Sequence, residues 1–131
     1  MSGFAAEGDV VVEVEEVGEL VSYVAPGDRV AVQVEKSPAV MTVGGWYDAE
    51  DLFGALETYR STESQNPGIT NLLVMGPWAH GDWNRKDGTQ VGDIRFRAKT
   101  AEYFRQNVEL PFFRRHLKED PKFVASEAHI F

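Results

Sequence analysis

The most informative absence in this 131-residue sequence is cysteine, which does not occur at all. Without thiols the chain has no disulfides, no thiol nucleophile and no cysteine-based zinc site, and its cellular compartment is left open. The apolar runs are too short to span a membrane. The first residues, MSGFAAEGDV, lack the basic stretch and the apolar stretch of a signal peptide, so we expect none here.

Basic residues are also scarce, with 13 Lys and Arg against 21 Asp and Glu and a formal net charge of −8. This balance argues against a protein that binds the phosphate backbone of nucleic acids, and against an anionic membrane surface as partner. The negative net charge is compatible with a cationic small molecule as ligand. The length, with 43% hydrophobic residues, suits one modest domain with a packed core.

The acidic residues are concentrated near the start, since residues 1–36 contain eight acids and two bases. We therefore place a boundary after residue 36, with an acidic β-rich segment at 1–36 and a second unit at 37–131. In DVVVEVEEV the acids Glu13 and Glu15 alternate with valines, and in DRVAVQVEK every second residue from Val30 to Val34 is valine. APGDR between the two runs is turn chemistry. These patterns predict a short antiparallel β ribbon.

The second unit reads as a β-α-β crossover. PAVMTVGG is a short apolar run, AEDLFGALETYR has helical spacing, and NLLVMG is a second apolar run. Such a crossover places two parallel strands in one sheet, which makes the fold class α/β. Farther on, AKTAEYFRQNV has helical character, and PFFRRHLKED predicts another short helix that begins at Pro111.

Two chemically useful side chains follow the two predicted strands. Asp48 comes just after the first strand, and His80 comes just after the second. Ligands gather at the carboxyl ends of parallel strands, and neighbouring strands lie about 4.8 Å apart. An Asp and a His at that edge can reach hydrogen-bond distance. This is the orienting half of an acid–histidine–nucleophile triad.

Each of these residues also has an ordinary interpretation. Asp48 could be only a helix N-cap, with Glu50 and Asp51 as favourable acids of the first turn. His80 could be a loop histidine without a role. A metal loop is disfavoured, because the acids after His80 miss the calcium-loop spacing by one position.

Two segments together resemble a known family. GGWYDAEDLFGAL and VMGPWAHGDW are similar to the segments around the catalytic Asp and His of the α-amino acid ester hydrolases. Those enzymes belong to the cocaine esterase and X-prolyl dipeptidyl peptidase group of serine α/β-hydrolases, with the glutaryl-7-aminocephalosporanic acid acylases. The resemblance covers roughly residues 38–131 and implies part of an α/β-hydrolase sheet.

The resemblance implies a role for each matching residue. Asp48 would be the triad acid and His80 the triad base, while Glu50 and Asp51 would belong to a carboxylate cluster that holds the substrate's α-ammonium group. Trp46 and Tyr47 would wall the acyl pocket, although core packing is the alternative for both. The implied substrate is a small ester or amide with a free α-amino group, with no metal and no cofactor.

The nucleophile is missing from this sequence. No G-x-S-x-G motif occurs, and an α/β-hydrolase chain carries its serine before the acid. None of the six serines suits a strand-to-helix elbow: Ser2, Ser22, Ser37, Ser61, Ser64 and Ser126. We therefore expect a fragment of a serine hydrolase that is inactive alone and that a chain carrying the nucleophile would complement. The alternative is a non-catalytic interaction module or relic that pairs through exposed sheet edges.

Overall fold

The computed structural model describes residues 9–13, 29–33, 38–119, 122 and 127–131. The strands are β1 (Asp9–Glu13), β2 (Arg29–Gln33), β3 (Val40–Gly45), β4 (Asn71–Gly76), β5 (Gln90–Val91), β6 (Ile94–Arg95) and β7 (Ala128–Ile130). The helices are α1 (Leu52–Gln65), α2 (Asp82–Arg85), α3 (Thr100–Phe104), a π-helical segment (Arg105–Glu109) and α4 (Leu110–Lys118).

A parallel sheet with strand order β3-β4-β7 organises the part that carries the predicted site. Strands β3 and β4 lie close to the predicted apolar runs, and helix α1 connects them, so the α/β fold class is confirmed. Strand β4 lies in the middle, and all six of its residues are buried.

Helices cover both faces of this sheet. Successive side chains of a strand point to opposite faces, and every residue of β4 is buried, so both faces have to be covered. On one face Val74 packs in a buried cluster with Trp78 and Phe104, against which Met41 and Val43 also lie. On the other face α1 approaches so closely that a side chain at Gly44 would collide with Ala55 and Met75.

The predicted antiparallel ribbon is wrong, because β1 and β2 pair in parallel, with Asp9 opposite Arg29 and Glu13 opposite Gln33. Parallel strands need a connection of about a dozen or more residues, and residues 14–28 are long enough. The APGDR turn adjoins only β2 and is too far from the end of β1 to close a hairpin. Much of this segment, including most of that turn, lies outside the described residues, and the boundary after residue 36 stays a prediction.

The two helices predicted near the C-terminus are joined into one continuous helical stretch. Pro111 lies at the start of α4, but the helical backbone continues through it from α3 by way of the π-helical segment. Proline has no N–H to donate and its ring collides with the carbonyl four residues earlier, here that of Asn107. The widened turn relieves this conflict, and the N–H of Leu110 bonds to the carbonyl of Arg105 instead.

The last apolar residues form a strand that the sequence did not identify as part of the sheet. Strand β7 pairs in parallel with β4, with His129 opposite Val74. The N–H of Phe131 donates to the carbonyl of Met75 at 3.0 Å, and its ring lies 5.6 Å from that of Trp78. This C-terminal segment therefore adds a third strand to the described sheet, next to the candidate site.

Candidate functional site

The turns that follow β3 and β4 are hydrogen-bonded to each other. The N–H of Trp46 donates to the carbonyl of Gly76 at 2.8 Å, and the N–H of Tyr47 donates to the carbonyl of Trp78 at 3.1 Å. Gly45 permits this approach, because a Cβ at that position would lie 2.0 Å from the carbonyl oxygen of Trp78. The backbone itself therefore holds the two chain segments that carry Asp48 and His80 side by side.

Asp48 is a buried carboxylate with three hydrogen-bond partners. It is 7% exposed, and its Oδ1 accepts the backbone N–H groups of Glu50 and Asp51, each at 2.9 Å. Its Oδ2 lies 2.9 Å from Nδ1 of His80. Burial alone would raise the pKa of Asp48, but hydrogen bonds from Asp51, Glu50 and His80 outweigh burial and hold that pKa below its ordinary value.

The residue at the N-cap position of α1 is Asp51, whereas the sequence indicated Asp48 as the candidate for that position. Helix α1 begins at Leu52, so Asp51 occupies the N-cap position, and Glu50 and Asp51 precede the first turn instead of lying in it. Asp51 makes no side-chain capping hydrogen bond. Asp48 is thus not the N-cap of the helix; it closes the turn that leads into it.

His80 lies in the loop between β4 and α2, with its side chain 38% exposed. An ionised carboxylate only accepts hydrogen bonds, so the contact with Asp48 places the proton of a neutral imidazole on Nδ1. The other nitrogen, Nε2, then carries the lone pair, and Oε2 of Glu50 lies 3.9 Å from it. The contact with Asp48 therefore determines which ring nitrogen is free to accept a proton.

The two remaining predicted carboxylates differ in surroundings. The side chain of Glu50 is 69% exposed and faces His80. The carboxylate of Asp51 lies against the backbone of Gly54, where an added Cβ would be 1.9 Å from its Oδ1. Gly54 therefore leaves the space that Asp51 occupies at the start of α1.

The predicted aromatic residues lie at the surface of this chain. Trp46 is 40% exposed and Tyr47 is 43% exposed, so neither belongs to the core formed by the described residues. The ring of Tyr47 lies 6.3 Å from that of Phe96. Both side chains are accessible next to Asp48.

Within the described residues, no three His, Asp or Glu side chains cluster as a metal site would require. In the same part of the chain no helix is long and apolar enough to cross a membrane.

Sequence reasoning missed the groups that hold the loop after β4. The indole Nε1 of the fully buried Trp78 donates to Oγ1 of Thr100 at 2.9 Å, and Oγ1 of Thr100 donates to the carbonyl of Gly88 at 2.9 Å. The guanidinium of Arg105 donates to the carbonyls of Trp83 and Lys86. A tryptophan two residues after a buried strand is a weak signal of this anchoring, and nothing in the sequence pattern pointed to Arg105.

With this fold, the chain resembles two solved structures of hydrolytic enzymes. One is an aminopeptidase from the marine sediment archaeon Thaumarchaeota archaeon, 32% identical with a TM-score of 0.64, covering 71% of this chain and 15% of that one. The other is an α-amino acid ester hydrolase labelled with selenomethionine, 35% identical with a TM-score of 0.62, covering 70% of this chain and 15% of that one.

The alignment thus spans about 15% of the length of each of these two enzymes. No family model matches the sequence. No curated protein matches it either. The structural neighbours support the resemblance to the ester hydrolases over most of the chain, and they support a hydrolase-like fragment.

Proposed function

We propose that this chain is the C-terminal part of the catalytic domain of a serine hydrolase that cleaves esters or amides of α-amino acids. In this proposal it belongs with the α-amino acid ester hydrolases in the cocaine esterase and X-prolyl dipeptidyl peptidase group. The observation that carries the proposal is the 2.9 Å contact between Asp48 and His80 at the carboxyl edge of parallel strands. The likeness to an aminopeptidase and an amino acid ester hydrolase supports it.

Asp48 and His80 supply the acid–base half of the reaction. Asp48 holds the imidazole in the tautomer with the proton on Nδ1 and stabilises the imidazolium that forms later. Nε2 of His80 takes the proton of a serine hydroxyl as that oxygen attacks the acyl carbon. The same nitrogen then gives the proton to the departing alcohol or amine, which leaves an acyl-enzyme that water hydrolyses.

The serine comes from outside this sequence in our proposal. The two serines of the described part, Ser61 and Ser64, lie on α1, and their hydroxyls donate to Glu57 and to the carbonyl of Ser61. Without a nucleophile no acyl-enzyme forms, so the chain alone does not turn over substrate. A second polypeptide or a further part of the same protein that carries G-x-S-x-G would complete the site.

Glu50 and Asp51 form the binding site for the substrate's α-ammonium group. An ammonium needs compensating negative charge, and charge-assisted hydrogen bonds to carboxylates provide it. The carboxylate of Glu50 lies 3.9 Å from the nitrogen that would exchange protons with the nucleophile. The negative charge of Glu50 is therefore close to the acyl carbon of a bound substrate. The α-amino group is on the carbon bonded to that acyl carbon, so it would lie within reach of the carboxylate. Trp46 and Tyr47 flank this position as walls of the acyl pocket.

Active-site titration tests the proposal directly. A p-nitrophenyl ester of an α-amino acid is mixed with the chain alone, and then with the chain plus a polypeptide that carries the G-x-S-x-G segment. We expect no burst of nitrophenol from the chain alone and a stoichiometric burst from the mixture, smaller with the des-amino ester. A burst from the chain alone would overturn the absence of a nucleophile, and no burst from a stable complex would overturn the triad.

The second candidate function, an interaction module, is favoured by the outer edges of the sheet. In the described residues β3 and β7 each pair with β4 and form the two sides of the sheet. An open edge is a template for pairing with another chain. Stable binding of the complementing polypeptide without hydrolysis, seen by sedimentation velocity together with the titration, would favour this function over the first.

A further inference from the structure

The loop that presents His80 is tied to helices that come much later in the chain. At one end of the loop, Trp78 is fully buried and bonds to Thr100 at the start of α3. At the other end, the carbonyl of Asp87 accepts the N–H groups of Ala101 and Glu102, each at 3.1 Å. Between these two attachments lies α2, a single helical turn that directly follows His80 and Gly81.

Helix α2 is too short to be stable by itself, so its ends need partners. The last carbonyls of a helix receive no hydrogen bond from an N–H within the helix, and a positive group at this end also suits the helix dipole. Arg105 provides both: its Nη1 donates to the carbonyl of Lys86 at 2.8 Å and also to the carbonyl of Trp83. One guanidinium thus binds the C-terminal end of α2 across about twenty residues of sequence.

Fixing α2 also fixes His80. Gly81 between them has a left-handed backbone with φ of 68°, and the guanidinium of Arg85 on α2 donates back to the carbonyl of His80. The ring of Trp83, whose carbonyl Arg105 holds, lies 6.4 Å from the imidazole in an edge-on arrangement. A rotation of α2 would therefore move both the backbone and the ring neighbour of His80.

We infer that Arg105 is a positioning residue for His80, acting through α2 to keep the imidazole against Asp48. It touches neither substrate nor imidazole in this role. The inference rests on the proposed function only in naming His80 as the base, since the contacts themselves are independent of it. A half-exposed imidazole in a loop that leads into a four-residue helical turn needs such a distant anchor, whereas buried Asp48 does not.

Proton exchange in the chain as it exists tests this inference without turnover. The exchange rate of the His80 Nδ1–H with water is measured by ¹H–¹⁵N NMR in the wild type and in Arg105→Met. We expect the rate to rise about tenfold or more, because hydrogen bonds from a charged donor to two carbonyls are lost. The backbone N–H groups of Glu50 and Asp51, held by the other oxygen of Asp48, should keep their exchange rates. A general loss of stability would instead raise all three rates.

Three further variants make the result decisive. Arg114→Met removes an exposed arginine of α4 and should leave the His80 rate unchanged, while Arg105→Lys keeps the charge and should recover part of the protection. If Arg105→Met lacks the far-ultraviolet circular dichroism of the wild type, Arg105→Gln replaces it, with an expected severalfold rise. Unchanged His80 exchange in the folded variant would overturn the role of Arg105 and leave the proposed function intact. A complemented chain that fails to hydrolyse ester would overturn the function and not this role.

Discussion

Asp48 and His80 meet in one hydrogen bond but are positioned in different ways. Asp48 is buried, and the backbone of the next three residues supplies two of its hydrogen bonds. His80 is more exposed, and its loop depends on Trp78, Thr100 and Arg105, which are brought together by the fold. The acid is therefore organised locally and the base by long-range contacts. We therefore expect substitutions near Asp48 to change the rate of the chemical step. Substitutions near the His80 loop should instead change the position of the imidazole.

The largest effect is expected from Asp48→Asn in the complemented enzyme. The amide keeps the shape of the carboxylate but no longer fixes the imidazole tautomer, so kcat should fall by about 10⁴-fold with little change in substrate affinity. Stopped-flow kinetics with an α-amino ester measures both quantities. Turnover at the wild-type rate would show that Asp48 has only a structural role.

Gly45→Ala should separate the two regions by breaking their shared backbone contact. The new Cβ would lie 2.0 Å from the carbonyl oxygen of Trp78, so the turns after β3 and β4 have to move apart. We expect a loss of about 3 kcal/mol in the free energy of unfolding. Urea denaturation of the chain alone measures it.

Gly44→Ala is the matched control for that change. Its Cβ would meet Ala55 at 2.7 Å and the sulfur of Met75 at 2.8 Å, which is a milder overlap than 2.0 Å. The methionine can shift, Ala55 moves only with α1, and neither contact involves the backbone of the two turns. Its destabilisation should therefore be smaller than that of Gly45→Ala. Equal losses would contradict the importance of the backbone contact between the two turns.

Asp51→Asn tests whether two carboxylates three residues apart, Asp48 and Asp51, have different roles. The variant should keep its kcat for a des-amino ester but lose about tenfold or more of the preference for the amino ester. Competition between the two esters measures the ratio of kcat/KM values. An unchanged preference would contradict the ammonium site.

The smallest expected effect is a change in the stability of the fold at low pH. The native pKa of Asp48 is lower than its ordinary value, so the ionised side chain stabilises the fold above about pH 4, and this contribution is lost as the pH falls through the native pKa. The difference in urea midpoint between the wild type and Asp48→Asn should therefore be full at about pH 5 and shrink towards about pH 2. A difference that stays constant with pH would contradict a favourably held carboxylate.

The sequence predicted the parts of this site that depend on local pattern. Apolar runs bounded by Pro and Gly identified β3 and β4, and helical spacing identified α1, because burial and periodicity are properties of short segments. The proximity of Asp48 and His80 followed from the rule for the carboxyl ends of parallel strands.

The remaining features depend on contacts that no short segment encodes. The pairing of β1 with β2 is set by where a long connection returns, so the alternation of valines did not determine its direction. The sheet position of β7 and the bonds of Arg105 arise only after distant segments pack. The helix begins later than expected because Asp48 holds the N–H groups of Glu50 and Asp51 in a turn.

The most direct test of the central claim is the tautomer of His80, read from the ¹⁵N shifts of its ring at a pH where the imidazole is neutral. Our account predicts the proton on Nδ1 in the wild type, and a shift of the population towards Nε2 in Asp48→Asn, whose amide can donate as well as accept. The same tautomer population in both proteins would contradict Asp48 as the residue that orients His80.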